Sequence, residues 1–188
     1  MMLRFLVFLG LSFSTSLALA QHELQIFVPG VQFRYEEGSD QQLDLRSYTH
    51  YAANYMYESV LLGVEYNTNE DNTGMTSLGV RSKNKEWNGL LGYSLAKLEF
   101  QNVARNTNIE ILGFVLAGKT EADITTSLNG QAKTNTSEAQ SVFGVGGLIF
   151  FRLDYFIAGL DTRMMQSSAF LPKSVFVNTI KLGVNFKF

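Results

Sequence analysis

Apolar and polar residues alternate along most of the chain, in blocks of about ten. Val60, Leu62, Val64 and Tyr66 share one parity, and Leu61, Gly63, Glu65 and Asn67 share the other. A period of two puts successive side chains on opposite faces of a strand, and helical spacing is poor throughout. The pattern predicts strands over Leu24 to Tyr35, Leu43 to Tyr55, Glu58 to Asn67, Trp87 to Phe100, Asn108 to Gly118, Ser141 to Phe151, Asp154 to Met165 and Asn178 to Phe188. In the first, the apolar parity changes at Pro29-Gly30, from Leu24, Ile26 and Val28 to Val31, Phe33 and Tyr35, which predicts a bulge.

The connections differ in character. Glu36 to Gln42, Thr68 to Glu86, Lys119 to Gln140 and Gln166 to Val177 are long or polar, whereas Ala53 to Tyr57 and Arg152 to Asp154 are short. Gln101 to Thr107 is longer than a short turn needs. Long connections at one end and short ones at the other are the layout of a bacterial membrane barrel, with the long ones outside the cell. The expected fold is therefore all-β, an antiparallel up-and-down transmembrane β-barrel of eight strands. Met75 to Lys83 and Asp123 to Leu128 also alternate weakly. They are read as extensions above the membrane, because Asp123-Ile124-Thr125-Thr126-Ser127 is too polar for a lipid face. Counted as spanning strands they would make ten.

The first twenty residues follow another rule. Arg4 is the one charge, an apolar run follows from Phe5, and Ala18-Leu19-Ala20 is the small-x-small pattern of a signal-peptidase site. Residues 1–20 are expected to be a cleaved signal peptide, cut after Ala20 with Ala18 in the upstream small position, and residues 21–188 the barrel. No later apolar stretch approaches the ~20 residues of a spanning helix. A membrane-embedded chain without such a helix must be a closed barrel. The chain has no cysteine, so it holds no disulfide framework and no thiolate metal site. A formal net charge of −2 does not suit nucleic acid.

The last block ends on the chain's last residue. Leu182, Val184, Phe186 and Phe188 alternate with Lys181, Gly183, Asn185 and Lys187, giving one apolar and one polar face. This ending resembles the C-terminal signature of outer-membrane barrels, with Lys181, Gly183, Phe186 and Phe188 in the places for polar, glycine, aromatic and aromatic. The layout is similar to the small eight-stranded proteins of the OmpA transmembrane-domain and OmpX type. Gly144-Val145-Gly146-Gly147 with Phe150 to Tyr155 looks like that group's penultimate hairpin. The resemblance implies an outer-membrane location amid lipid and lipopolysaccharide. It also implies that periplasmic chaperones and the barrel-assembly machinery read the last strand. A monomer with no cofactor is expected.

Candidate chemistry is sparse. His22 reads as a solvated end residue, and His50 lies on a strand where a polar side chain can point inward. Small lipid A deacylases and palmitoyltransferases are barrels of this size. The chain lacks the His-x-Ser-Asn stretch of the deacylases, and a lumen histidine fits position 50. The Asn69 to Asn72 run lacks the spacing of a calcium loop. Aromatic residues gather toward strand ends, as interfacial girdles do. The parity does place charges inward: Asp161, Arg163 and Lys181, joined by Glu65, Lys97 and Glu110, with Arg34 and Arg46 nearer the outer end. A loop centred near Leu171-Pro172 would set Asp161 opposite Lys181. The expected lumen is crossed by ion pairs and closed to all but water or small ions; the alternative sets these charges at the solvated rims. The leading functional expectation is a non-enzymatic barrel with a structural or surface-interaction role. A narrow channel or lipid-binding barrel and a lipid A-modifying enzyme are the alternatives.

Overall fold

In a computed structural model the chain is described over residues 22–37, 43–75, 78–100, 107–128, 131–170 and 172–188. The expected signal segment, with Ala18 and Ala20, lies outside the described residues. Nine strands and no helix occupy those residues: β1 (His22–Glu37), β2 (Leu43–Tyr57), β3 (Val60–Met75), β4 (Leu78–Phe100), β5 (Thr107–Leu128), β6 (Gln131–Thr136), β7 (Gln140–Leu153), β8 (Phe156–Ser167) and β9 (Ser174–Lys187). Every pairing is antiparallel. The order β4-β3-β2-β1-β9-β8-β7-β5, with a further β4–β5 ladder, closes eight strands into a ring. β6 is outside the ring and pairs only with β5, from Asp123 to Leu128.

The eight strands of the ring stand where the alternation puts them, and several are longer. Met75 to Lys83 and Asp123 to Leu128 continue β3, β4 and β5 rather than adding spanning strands. β6 was not expected, because Gln131 to Thr136 has no apolar parity to read. Two turns are tighter and later than predicted. β2 runs on to Tyr57 and turns at Glu58-Ser59, and β7 turns at Asp154-Tyr155. Each turn opens on a residue in the left-handed region, Glu58 (φ 52) and Asp154 (φ 52). The ladders of β1 shift register between Phe27 and Gly30 on the β2 side, and between Phe27 and Val31 on the β9 side.

The registers fix the size of the ring. Followed from Leu24 through Tyr55, Leu62, Leu91, Val115, Val145 and Met164, the row of opposed residues reaches Phe176 on β9, yet Leu24 itself pairs with Phe186. The sheet thus closes ten residues out of line, from position 176 to position 186. With about 4.8 Å between strands and about 3.3 Å per residue, eight strands so staggered tilt roughly 40° around a backbone radius of about 8 Å. Such a ring has room inside for side chains and little else. Outside, Val31, Leu62, Val64, Trp87, Leu91, Val115, Phe143, Phe156, Ile180 and Leu182 stand exposed.

The closing seam between β1 and β9 is tight. A Cβ on Gly183 would lie 2.3 Å from the Ile26 carbonyl oxygen and 2.9 Å from the Phe27 Cα. One on Gly147 would meet nothing nearer than 3.9 Å. Gly183→Ala is therefore expected to destabilise the folded barrel by about 1–3 kcal/mol, as overpacking does, with Gly147→Ala close to neutral. Urea unfolding from lipid vesicles measures both, and equal effects would contradict the close approach at the seam.

Candidate functional site

The lumen parity of each strand carries the buried polar residues. Gln25, Gln32 and Arg34 come from β1, His50 and Asn54 from β2, Glu65 and Asn67 from β3, and Glu86 and Asn88 from β4. Glu110 comes from β5, Arg152 from β7, Asp161 and Arg163 from β8, and Lys181 and Asn185 from β9. Phe27, Phe114, Phe150, Leu61, Leu90, Leu112 and Leu148 pack among them. The lumen is a filled core in which a polar network threads an apolar one.

The network has three levels. At the centre, Glu65 meets Arg163 at 2.5 Å and Lys181 at 3.4 Å, while Asp161 meets Arg163 at 2.9 Å and Lys181 at 3.3 Å. All four side chains are fully buried. Toward the short turns, Arg152 donates to Glu23 at 2.8 Å and also to Glu110. Toward the long connections, Arg34 pairs with Glu86 at 2.8 Å. Phe150 separates the first two levels, with the Arg152 guanidinium 5.0 Å from its ring centre and the Lys181 ammonium 6.0 Å from it. The other two are linked by polar side chains. Asn67 donates to Glu86 at 3.0 Å, its Oδ1 faces His50 Nδ1 at 2.7 Å, and His50 Nε2 lies 3.7 Å from Glu65. Two glycines leave room for the long cations. A Cβ on Gly146 would meet Arg163 at 2.7 Å, and one on Gly159 would meet Lys181 at 2.9 Å.

The residues singled out from sequence fall unevenly. Glu65, Asp161, Arg163 and Lys181 come together at the centre. Asp161 and Lys181 are not directly opposed as expected. Asp161 pairs with Thr179 and Lys181 with Gly159, so the β8–β9 connection centres one residue earlier and the ion pair forms on the diagonal. Glu110 is buried, but at the lower level with Arg152. Lys97 is a correction. It opposes Glu110 in the ladder, yet its ammonium sits 2.8 Å from Glu99 with 39% of the side chain exposed. β4 bulges between Ser94 and Ala96 and runs on past the first residue of β3, so the lumen is already open there. Arg46 stays near the outer rim, 3.5 Å from Asp71. His22 is a further correction: its ring bonds the Tyr55 hydroxyl and stacks 5.8 Å from Phe188, and its backbone pairs with that of Phe188. Of the C-terminal motif, Lys181 is in the lumen, Gly183 at the seam, and Phe186 and Phe188 on the outer wall.

Sequence reasoning missed Glu23, Glu86 and Arg152. Each was assigned to a connection or to the chain's start, although Arg152 shares the parity of Leu148 and Phe150.

Beyond the ring, β3, β4, β5 and β6 continue as a polar sheet. Arg81 bonds Glu70 at 2.6 Å, Lys85 meets Asp123 at 2.5 Å, and Thr136 donates to Asp123 at 2.8 Å. All of β6 is exposed, and among the described residues its far edge has no partner strand. A cavity of about 220 Å³ at the barrel mouth, lined by Arg34, Tyr48, Glu86, Thr120 and Phe170, separates this sheet from the filled lumen. Among the described residues no cluster of histidine, aspartate and glutamate is arranged to hold a metal.

No protein-family model matches the chain, and no match is found among curated protein sequences. Solved structures do match. Ail, the attachment invasion locus protein of Yersinia pestis, in complex with the heparin analogue sucrose octasulfate, is 13% identical over 89% of this chain and 99% of its own, with a TM-score of 0.55. Neisserial surface protein A is 13% identical over 90% of this chain and 96% of its own, with a TM-score of 0.50. The chain shares the fold of these small eight-stranded outer-membrane β-barrels.

Three outcomes follow from this geometry. Asp161→Ala and Lys181→Ala, singly and together, are expected to couple by about 1 kcal/mol or more in urea unfolding from vesicles. Lys97→Ala is expected to leave stability within about 0.5 kcal/mol. In the extension, the hydrogen bond from Lys85 and then that from Thr136 hold the Asp123 carboxyl below its usual range, and the bond to Asp123 holds Lys85 above its own. The aspartate's contribution is present above its ordinary pKa and fades as pH falls through the lowered one. The lysine's is present below its ordinary pKa and fades as pH rises through the raised one. Amide exchange in β6, corrected for intrinsic rate, should stay level across neutral pH and accelerate well below about pH 4. Acceleration already near neutrality would contradict this.

Proposed function

We propose that the chain is an exported, non-enzymatic barrel of a bacterial outer membrane. In this reading the lumen is a structural plug and the outer sheet of β3 to β6 is an interaction surface. The observation that carries it is the contrast between the faces of one closed ring. The outer wall is apolar with aromatic residues toward both ends, and the inner wall is charged and filled. Lipid on one side and no continuous water on the other account for that pattern.

The signal segment ending at Ala20 delivers the chain across the inner membrane, and the mature protein begins at Gln21. Lys181, Gly183, Phe186 and Phe188 then serve as the signal read by periplasmic chaperones and the assembly machinery. The fully stacked levels of ion pairs favour a plug over a channel. The extension is largely polar, with Ile124 and Leu128 exposed on it, and among the described residues it ends on an unpaired edge, as suits contact with a partner outside the cell.

The orientation can be tested directly, because the chain has no cysteine of its own. Lys133→Cys lies in the extension and Lys97→Cys at the opposite rim. A membrane-impermeant maleimide added to intact cells is expected to label the first and spare the second until the outer membrane is permeabilised. Labelling of neither on intact cells, or of Lys97→Cys alone, would overturn the proposed surface. In planar bilayers the purified protein is expected to give no stepwise conductance, and regular steps would replace the plug with a channel.

A further inference from the structure

The apolar outer wall has a broad, open concavity. Ala53, Gly89 and Ala117 line up across β2, β4 and β5, with Val64 of β3 between them. Leu62, Leu91 and Val115 stand on the short-turn side of this row, and Tyr66 and Trp87 on the other. The result is an apolar groove of about 810 Å³ open to the outside of the barrel.

We propose that this groove holds an acyl chain of a lipid whose phosphorylated headgroup is bound by Lys119. The proposal rests on reading the chain as a membrane barrel. The lining is apolar along the whole outer face, which suits a hydrocarbon chain and excludes a polar ligand. The groove is not a by-product of packing. A Cβ on Gly89 would meet only the Ala117 carbonyl oxygen, at 3.8 Å, so nothing within the protein requires a glycine there. Lys119 opposes Trp87 in the ladder and is exposed on the same face. Rows climb by about 3 Å per strand in this direction because of the stagger, so Lys119 stands farther out than Trp87, at headgroup depth. Lys85 is engaged by Asp123 and Arg81 by Glu70, whereas among the described residues no carboxylate pairs with Lys119.

Trp87 is the chain's one tryptophan and borders the groove, so its fluorescence reports on the occupant. The protein is reconstituted in phosphatidylcholine vesicles containing either phosphatidylglycerol or phosphatidylcholine with brominated acyl chains. Quenching is expected to show about three- to fivefold tighter local binding of the phosphatidylglycerol, the range one surface lysine supplies. Lys119→Gln should make the two lipids equal, and Gly89→Leu, which fills the groove, should reduce the preference in the same direction. Equal quenching in the unmodified protein, or a preference that survives Lys119→Gln, would overturn the headgroup site. Quenching that weakens as protein density rises would assign the groove to a second copy instead. No quenching by either lipid would overturn the membrane reading along with the groove.

Discussion

The structure depends on one constraint: the sheet closes on itself and leaves no edge of the ring unpaired. An open sheet fails at its two edges, so β1 and β9 must meet, and the other features follow from how they do. The offset of ten residues sets strand tilt and radius, and the radius sets a lumen that side chains fill. The seam also explains why Gly183 faces β1. At this point of closure, with the Ile26 carbonyl 2.3 Å from where a Cβ would sit, any side chain would push the first and last strands apart. His22 and Phe188 finish the same seam with reciprocal backbone bonds and a ring stack.

A lumen that must be filled could be filled with leucine, yet the centre of this one holds Glu65, Asp161, Arg163 and Lys181. Taking such ions from water costs several kcal/mol each, and mutual attraction with good geometry offsets it only in part. What the charges supply beyond that is direction. In the proposed membrane setting, a slip of one residue in the ladders of β8 or β9 would turn Asp161 and Arg163, or Lys181, toward lipid, where a charge costs roughly 2–4 kcal/mol at mid-depth. A purely apolar interior would leave inner and outer faces chemically alike and the register weakly specified. Because Glu65 on β3 binds partners on β8 and β9, the network also ties opposite sides of the ring together.

This division of faces is why so much was legible. Parity alone turned Glu65, Glu110, Asp161, Arg163 and Lys181 inward, and the motif at Lys181 to Phe188 marked the last strand. Parity cannot see where a strand stops being enclosed. Lys97 faces the side of Glu110 only because β4 bulges at Leu95, and there β4 has passed beyond β3, so the face that is lumen at Asn88 is open rim at Lys97. Nor does parity fix register. A connection centred one residue earlier than Pro172 suggests moves the partner of Asp161 by two positions, and only the reach of a lysine keeps the contact. Arg152, Glu23 and Glu86 were missed for a related reason. Polar residues close to turns read as part of the turn, although the strands there continue into buried ladders.

The outer sheet was least legible, and the cause is physical. Alternation is visible only where the two faces of a strand see different surroundings. Beyond the ring both faces of β3 to β6 see water, and Gln131 to Thr136, exposed at every position, carries no pattern for that reason. The constraint that fixes the barrel is absent there: backbone groups at the β6 edge can bond to water, so neither closure nor parity restricts the side chains. Residues in the ring are held by the ladders on either side and by the charge network inside, and substitution there is tested against the fold. Residues of the extension are held mainly by their own ladders and by surface pairs such as Lys85 with Asp123. The same release from constraint that erases the structural signal leaves this sheet as the part of the molecule whose surface can change without disturbing the barrel beneath it.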